Sequence, residues 1–287
     1  MWANYHTHSN FCDGRGTPDE ILNSAKHKHV LSIGLSSHAP LPFPKPWCMK
    51  ADQLEDYFLT ISHLNKSESG IEIACGLEVD YVPDQIGPAD LQSRLDYTIG
   101  SIHFVDALPD GTPWEVDGAA ETFQQGFNSI FRKNARSAIS RYFELTREMI
   151  ARSTPDIVGH LDKIKIQNKN NSLFQESESW YRAEVRQTLR QIREAECVLE
   201  VNTRGLYQKK TVDPYPSPWV LAQAHELGLP VTLSSDAHHP DQLTCEFTET
   251  AAILYEIGFR HLMVWYTGRW QLVSFNPHGI QFSELSR

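Results

Sequence analysis

The chain has 287 residues, with 26 Lys and Arg against 36 Asp and Glu, so its formal net charge is −10 when His is neutral. An acidic protein of this size does not hold a polyanion through its bulk charge, and any phosphate recognition therefore has to come from a local site. With 40% hydrophobic and 22% charged residues, the composition is that of a protein with a large core and excludes a disordered chain.

No targeting or membrane-spanning segment is predicted. The longest apolar run, Leu262 to Tyr266, has five residues, whereas a transmembrane helix needs about 20. The first ten residues lack the basic and apolar regions of a signal peptide. The five cysteines are never closer than 27 residues, which excludes both CxxC pairs and a dense disulfide framework. We therefore expect a cytoplasmic protein.

Short β-rich runs alternate with helical stretches along the chain. Most of the runs are nearly continuous in apolar residues, which is typical of a parallel sheet with both faces covered. The strands are predicted near Trp2–His6, Leu31–His38, Ile71–Tyr81, Asp96–Phe104, Asp156–Leu161, Cys197–Asn202, Val231–Asp236 and His261–Trp265.

Helices are predicted between these strands, the longest over Gly118–Arg152 and Ser177–Ala195. The proline-rich run Ala39–Trp47 is too short to separate domains and is interpreted as a stiff loop. No linker or low-complexity tract divides the chain. Regular alternation of strands and helices without a change of composition predicts one α/β domain over residues 1–287.

Histidines and acidic residues are concentrated where the predicted strands end. His6 and His8 follow the first strand as HTH, and their period-two spacing directs both side chains to the same side. The later strand ends carry the following residues: His38, Glu78 with Asp80, His103, His160, and Asp236 with His238, while Asp13 lies shortly after the first strand.

The carboxyl ends of the strands meet on one face of a parallel barrel, and active sites of such folds lie there. Two alternating histidines alone could equally be packing residues. The recurrence of histidine and acidic residues at successive strand ends predicts a metal cluster instead. Imidazole and carboxylate ligands without thiolates favour Zn, Mn or Fe.

Seven segments carry a resemblance to a known family: YHTHSNFCDG, SSHAP, GLEVDY, GSIHF, GHLDKIK, EVNTRG and SSDAHHP. In this order they resemble the motifs of the PHP (polymerase and histidinol phosphatase) superfamily, over roughly residues 3 to 245. Within it the chain is similar to the histidinol-phosphate phosphatase family. The resemblance implies an α/β fold, a distorted (β/α)7 TIM-like barrel, with three divalent ions (Zn, Mn or Fe) at the carboxyl ends of its strands. It also implies hydrolysis of L-histidinol phosphate to L-histidinol and phosphate in histidine biosynthesis.

The resemblance further implies nine metal ligands. They are His6, His8, Glu78 and Asp236 for the first ion, Glu78, His103 and His160 for the second, and Asp13, His38 and His238 for the third. Many superfamily members have a histidine where this chain has Asp13. Glu78, Asp236 and His238 are the residues predicted to be catalytic, with Glu78 bridging the first two ions. A hydroxide between these two ions is the expected nucleophile.

Substrate contacts are predicted from the chemistry of histidinol phosphate, which carries a phosphate dianion, an amine and an imidazole. Arg204 is predicted to bind the phosphate, with Lys165 as the alternative cation. Glu115 or Asp117 is expected to pair with the amine, and Trp114 to flank the ring.

Other functions remain open from the sequence. A nucleotide phosphatase or an exonuclease could use the same barrel, although the acidic charge disfavours the exonuclease. A non-catalytic, metal-binding regulatory domain would be expected to lack some ligands, and here all nine positions carry competent residues. Cys12 is not expected to be a nucleophile, because the nearby histidines are better used as ligands. A small phosphomonoester is the expected partner, without nucleic acid or membrane, and the oligomeric state is left open.

Overall fold

The computed structural model describes residues 1–67 and 70–281. The strands in this part of the chain are β1 (Trp2–Asn4), β2 (Val30–Leu35), β3 (Glu72–Asp80), β4 (Tyr97–Ser101), β5 (Phe104–Ala107), β6 (Pro113–Glu115), β7 (Ile157–Val158), β8 (Val198–Asn202), β9 (Val231–Ser234), β10 (His261–Tyr266), β11 (Arg269–Asn276) and β12 (Gly279–Ile280). Seven of them form one parallel sheet in the order β1-β2-β3-β4-β7-β8-β9.

The sheet closes between its first and last strands. Thr7, after β1, forms a parallel bridge with Ala237, after β9. The His8 amide donates to the Ala237 carbonyl over 2.8 Å, and the Ala237 amide donates to the His6 carbonyl over 3.2 Å. The predicted distorted (β/α)7 TIM-like barrel is thereby confirmed.

The α-helices of the described chain are α1 (Pro18–His27), α2 (Leu54–Ser67), α3 (Ala120–Ser129), α4 (Ala135–Arg152), α5 (Ser179–Glu194), α6 (Arg204–Tyr207), α7 (Pro218–Glu226) and α8 (Phe247–Ile257). The long helix predicted over Gly118–Arg152 was wrong, since α3 and α4 are separate. Arg132 and Lys133 have φ of 50° and 63°, left-handed values that interrupt a helix. Asn134 then caps α4 by accepting from the Ser137 amide.

None of the described helices is both long enough and apolar enough to cross a membrane.

Two smaller sheets accompany the barrel. Strands β5 and β6 form a hairpin directly after the fourth barrel strand. Strands β10, β11 and β12 form an antiparallel sheet, so the predicted strand near His261–Trp265 exists but lies outside the barrel. This sheet packs on β1, where the Tyr5 ring meets Trp270 edge to face and the Trp265 amide donates to the Tyr5 hydroxyl.

Tyr97 fills the interior of the barrel near its amino end. Its hydroxyl donates to the Tyr5 carbonyl over 2.5 Å. Gly34 and Gly76, on the two preceding strands, leave room for the ring, because a Cβ atom at either residue would lie 2.1 or 2.2 Å from Tyr97 atoms. The interior is therefore packed with side chains, and space for a ligand is found at the carboxyl ends of the strands.

Candidate metal centre

All nine predicted ligands lie at the carboxyl end of the barrel. Glu78 lies within β3, and each of the other eight follows the end of its strand by two to nine residues. Their ligand atoms form groups within 4.8 Å of one another, and each ligand belongs to at least one group. Asp236 has a φ of 53°, an unfavourable backbone conformation of the kind found at functional sites.

One carboxylate oxygen of Glu78 faces the second predicted ion site. Oε1 lies 2.9 Å from Nε2 of His160 and 3.6 Å from Nε2 of His103. The Ser101 hydroxyl donates to the same oxygen over 2.7 Å and limits its rotation. The two imidazole nitrogens and this oxygen therefore point at a common position.

The other oxygen of Glu78 faces a different set of imidazoles. Oε2 lies 3.1 Å from Nε2 of His6, 3.5 Å from Nε2 of His8 and 2.9 Å from Nδ1 of His38. Burial disfavours the charged carboxylate, but the imidazoles, His38 foremost, outweigh burial and hold the pKa of Glu78 well below its usual range. The two oxygens thus serve separate groups of ligands, which is the geometry of a bridging carboxylate.

The third predicted site is more open to solvent. Oδ1 of Asp13 lies 3.2 Å from Nε2 of His238 and 3.9 Å from Nε2 of His38. The Asp13 side chain is 35% exposed, whereas Glu78 is 1% exposed. A cation at Asp13 would consequently be the one that exchanges most easily with solvent.

The donor set fits divalent cations. His6 Nε2, His8 Nε2 and His38 Nδ1 are buried and, although Glu78 Oε2 lies nearby, form no hydrogen bond of acceptable geometry with the described residues. Leaving buried polar nitrogens unpaired costs about 1–3 kcal/mol each. Imidazole nitrogens and carboxylate oxygens in one group are the ligands that Zn, Mn and Fe accept, so cations bound here would remove that cost.

Asp80 supports a predicted ligand from behind. Its Oδ1 accepts from the His103 ring at Nδ1 over 2.8 Å and from the His103 amide over 3.2 Å. Burial opposes charge on the ring, but Asp80 and Asp117 together outweigh burial and raise the pKa of His103 to about 9. With Nδ1 committed to Asp80, Nε2 of His103 is directed towards Glu78.

Arg204 is the residue predicted from the sequence to bind the phosphate. As the first residue of α6 it lines the cleft above the ligands. Its Nη1 donates to the Asp236 carbonyl over 2.6 Å and lies 2.5 Å from Nδ1 of His238. The guanidinium is therefore held at the edge of the third site.

The structure does not bring Lys165 into this cleft. Its Nζ donates to Asp162 Oδ2 over 3.0 Å and to the Pro214 carbonyl over 2.6 Å, on the side away from the predicted ligands. Lys163, which the sequence analysis did not select, lines the cleft together with Lys210. Lys163 and Lys165 lie in a 3₁₀ helix, in which residues three apart share a face, so Lys163 and Ile166 line the cleft.

Lys163 contacts two predicted ligands of the second ion. Its Nζ lies 3.2 Å from His103 Nε2 and 3.5 Å from His160 Nε2. Asp117 forms an ion pair with it at 3.0 Å. Burial disfavours the ammonium, but Asp117, Asp236 and Glu78 together outweigh burial and raise the pKa of Lys163, so the side chain stays charged. If a 3₁₀ turn had been predicted for GHLDKIK, the spacing of its residues would have selected Lys163 and not Lys165.

The loop after the fourth barrel strand contributes both predicted acids to the cleft, Glu115 and Asp117. Glu115 is paired with Lys45 at 3.0 Å. Trp114 does not flank the cleft. It is fully buried against Phe123, because alternation along β6 points it away from its neighbour Glu115.

Trp47, from the proline-rich loop, lines the cleft together with Tyr215. Its ring meets His38 edge to face at 4.6 Å and stacks parallel to Phe104 at 5.9 Å. The stiff loop predicted over Ala39–Trp47 thus forms one wall of the site.

Cys12 lies beside a predicted ligand, with its Sγ 3.5 Å from Nδ1 of His8. Burial raises the pKa of the thiol to about 11, so little thiolate exists at neutral pH. This environment agrees with the prediction that Cys12 is not a nucleophile.

Comparison with known proteins decides the family. The model of the PHP domain family matches residues 4–204. The chain belongs to the PHP domain family. A histidinol-phosphatase from Bacillus subtilis is 30% identical to this PHP chain over 259 residues, covering 81% of the chain and 92% of that protein.

Solved structures share the fold of this PHP chain. A protein from Listeria monocytogenes superposes with a TM-score of 0.75 at 22% identity, covering 86% of this chain and 99% of that one. A histidinol phosphate phosphatase from Lactococcus lactis, solved with zinc, L-histidinol and phosphate, gives a TM-score of 0.70 at 20% identity and covers 98% of each chain. The family match ends at residue 204, so Asp236 and His238 are placed at the site by the closure of the barrel through β9.

Proposed function

We propose that this chain hydrolyses L-histidinol phosphate to L-histidinol and inorganic phosphate. The observation that supports this proposal most strongly is the position of Glu78. Its two oxygens face two separate groups of imidazoles beneath a cleft lined by Arg204 and Lys163. The cleft has a volume of about 200 Å³. The names of the Bacillus subtilis relative and of the Lactococcus lactis structure support the substrate.

Three divalent cations are proposed, held by the nine side chains in the sets described from the sequence. Bound there, they would neutralise charge on the phosphoryl oxygens and lower the pKa of water at the site. Glu78 would be shared by the first two cations, because its oxygens point in two directions. Zn, Mn and Fe all suit these ligands.

Arg204 and Lys163 are the residues proposed to bind the phosphate. A guanidinium grips two phosphoryl oxygens in a fixed fork, and an ammonium supplies a point charge. Both groups border the cleft and both stay charged at neutral pH. They stabilise the dianion locally in a protein whose net charge is −10.

The other end of the substrate is proposed to lie between Asp117, Glu115 and Trp47. The carboxylates would accept hydrogen bonds from the amine, which is cationic at neutral pH. Each acid already has a lysine partner in this structure, so the site need not bury an unpaired negative charge before the amine arrives. Trp47 offers an aromatic face to the imidazole.

Phosphate release tests the proposal. Purified protein is assayed with histidinol phosphate, nucleoside monophosphates and p-nitrophenyl phosphate, each with and without EDTA and with added Zn²⁺ or Mn²⁺. We expect the highest kcat/KM for histidinol phosphate and loss of activity with chelator. Equal kcat/KM for all esters would indicate a general phosphoesterase, and no release under any metal condition would indicate a non-catalytic domain. Growth of a histidine auxotroph that lacks this phosphatase provides the test in cells.

A further inference from the structure

Glu200 is a buried carboxylate that the proposed reaction does not use. It lies in β8 and is 0% exposed. Its Oε1 is 2.6 Å from Nδ1 of His6, and its Oε2 accepts from the His160 amide over 2.6 Å and from Asn202 Nδ2 over 3.2 Å. Among the described residues, no Lys or Arg side chain pairs with it. Its partners are therefore side-chain and backbone donors of the metal centre itself.

We propose that Glu200 is a positioning residue for metal binding, acting through His6 and His160. The inference rests on the ligand set of the proposed function, not on its substrate. An ionised carboxylate can only accept hydrogen bonds, so the proton of the neutral His6 ring resides on Nδ1. Nε2 then presents its lone pair towards Glu78 Oε2, 3.1 Å away. A carboxylate behind a ligating imidazole sets the tautomer in this way and orients the ring.

The second oxygen of Glu200 links the His6 ring to another predicted ligand, His160. By accepting from the His160 amide it holds the backbone from which the His160 ring reaches Glu78 Oε1. His6 follows the first barrel strand and His160 the fifth, so one carboxylate sets the spacing between ligands of the first and second predicted cations.

Asn202 extends the same support to a third ligand. It is two residues beyond Glu200 in β8 and therefore points to the same face of the strand. Its Nδ2 donates to Glu200 Oε2 and lies 3.3 Å from Asp236 Oδ2. Strand β8 contributes none of the nine predicted ligands, and its inward residues instead contact ligands that follow β1, β7 and β9.

The test compares zinc binding by the full chain and by the variant Glu200→Gln. His6 and the His160 amide face different oxygens of Glu200, and a glutamine replaces one of these oxygens with an NH₂ group that cannot accept a hydrogen bond. We expect chelator-stripped Glu200→Gln to bind Zn²⁺ about 10- to 100-fold more weakly in at least one site, as measured by calorimetry. In the zinc-loaded protein, ¹⁵N spectra of labelled histidines are expected to show His6 protonated at Nδ1, and the variant to lose that signal. Comparison with a His6→Asn spectrum identifies the resonance.

Asp162→Asn is the matched control. Asp162 is also a fully buried carboxylate near a strand end, but its side chain binds Lys165 and the Ser217 amide. The Asp162→Asn variant is expected to bind Zn²⁺ with the affinity of the wild-type chain. A loss of affinity as large as that of Glu200→Gln would show a general effect of burying an amide and would overturn the proposal.

A second variant, Glu200→Asp, keeps the proposal testable if Glu200→Gln does not fold. Glu200→Asp keeps the charge and the acceptor-only chemistry, and we expect it to recover part of the zinc affinity and the Nδ1–H signal of His6. Wild-type zinc affinity in Glu200→Gln, or no advantage of Glu200→Asp over it, would overturn the proposal. Neither measurement involves histidinol phosphate, so a chain that binds zinc through Glu200 but fails to hydrolyse this ester would disprove only the proposed substrate.

Discussion

Arg204 and His238 are in direct contact, with Nη1 of the arginine 2.5 Å from Nδ1 of the histidine. The same histidine nitrogen lies 3.0 Å from the Asp236 carbonyl, and the opposite nitrogen faces Asp13. The residue proposed to bind phosphate therefore also touches a predicted ligand of the third cation. Arginine cannot ligate a cation, so any effect of Arg204 on metal content acts through its contact with His238.

The first prediction concerns Arg204. Arg204→Ala is expected to lower kcat/KM for histidinol phosphate roughly 10- to 1000-fold, through loss of a charge-assisted contact of ~1.4–4 kcal/mol. Arg204→Lys should recover only part, since an ammonium lacks the fork. Because of the contact with His238, we also expect weaker retention of one cation per chain, measured by elemental analysis after dialysis. Wild-type kcat/KM in Arg204→Ala would contradict the assignment.

The second prediction separates Lys163 from Lys165. Lys163→Gln is expected to lower kcat/KM strongly, because its ammonium lies in the cleft. Lys165→Ala is expected to keep kcat/KM but to lower the free energy of unfolding by up to about 3 kcal/mol, since it leaves buried Asp162 without its cation. Steady-state kinetics and urea unfolding measure the two effects. Loss of activity in Lys165→Ala with normal activity in Lys163→Gln would restore Lys165 as the alternative cation predicted from the sequence.

The third prediction compares two carboxylates of β3. Glu78→Gln keeps the shape but removes a charge that faces both groups of imidazoles, so we expect loss of metal from two sites and a large fall in kcat. Asp80→Asn alters only the support of His103, and its expected cost is about 10- to 100-fold in affinity for one cation. Metal titration and kcat are measured for both variants. Equal effects would mean that Glu78 is not the bridge.

The fourth prediction is the metal content itself. Protein purified with added Zn²⁺ or Mn²⁺ is expected to contain up to three ions per chain, and removing them should lower the midpoint of thermal unfolding, because ligands that bind the native state stabilise it. Elemental analysis and thermal unfolding with and without chelator provide the measurement. A metal-bound crystal structure in which two or more of the nine side chains lie over about 10 Å from any ion would contradict the ligand set.

The fifth prediction concerns the barrel interior. Gly76→Ala places a Cβ 2.2 Å from the Tyr97 ring, and overpacking of this kind costs about 1–3 kcal/mol of unfolding free energy. Tyr97 is fully buried and cannot move towards solvent. Urea unfolding checks the effect. An unchanged free energy would show that the ring has another position available.

The sequence by itself determined an α/β domain and the strand ends that carry its chemistry, and the resemblance of its motifs to a known family implied the barrel. Strand periodicity and helix signals act over a few residues, and ligands such as His6 and His103 lie directly beyond local apolar runs. Parallel strands bring their carboxyl ends to one face whatever the loops do. The order of the motifs was therefore enough to predict which end of the barrel carries the site.

Tertiary structure alone decided which side chains surround those ligands. Lys163 faces the cleft and Lys165 does not because a 3₁₀ turn separates their directions, and Trp47 replaces Trp114 because alternation along β6 buries the latter. Glu200 meets His6 across 194 residues of chain. Contacts of this kind depend on strand order and closure of the barrel, which no local pattern in either segment encodes.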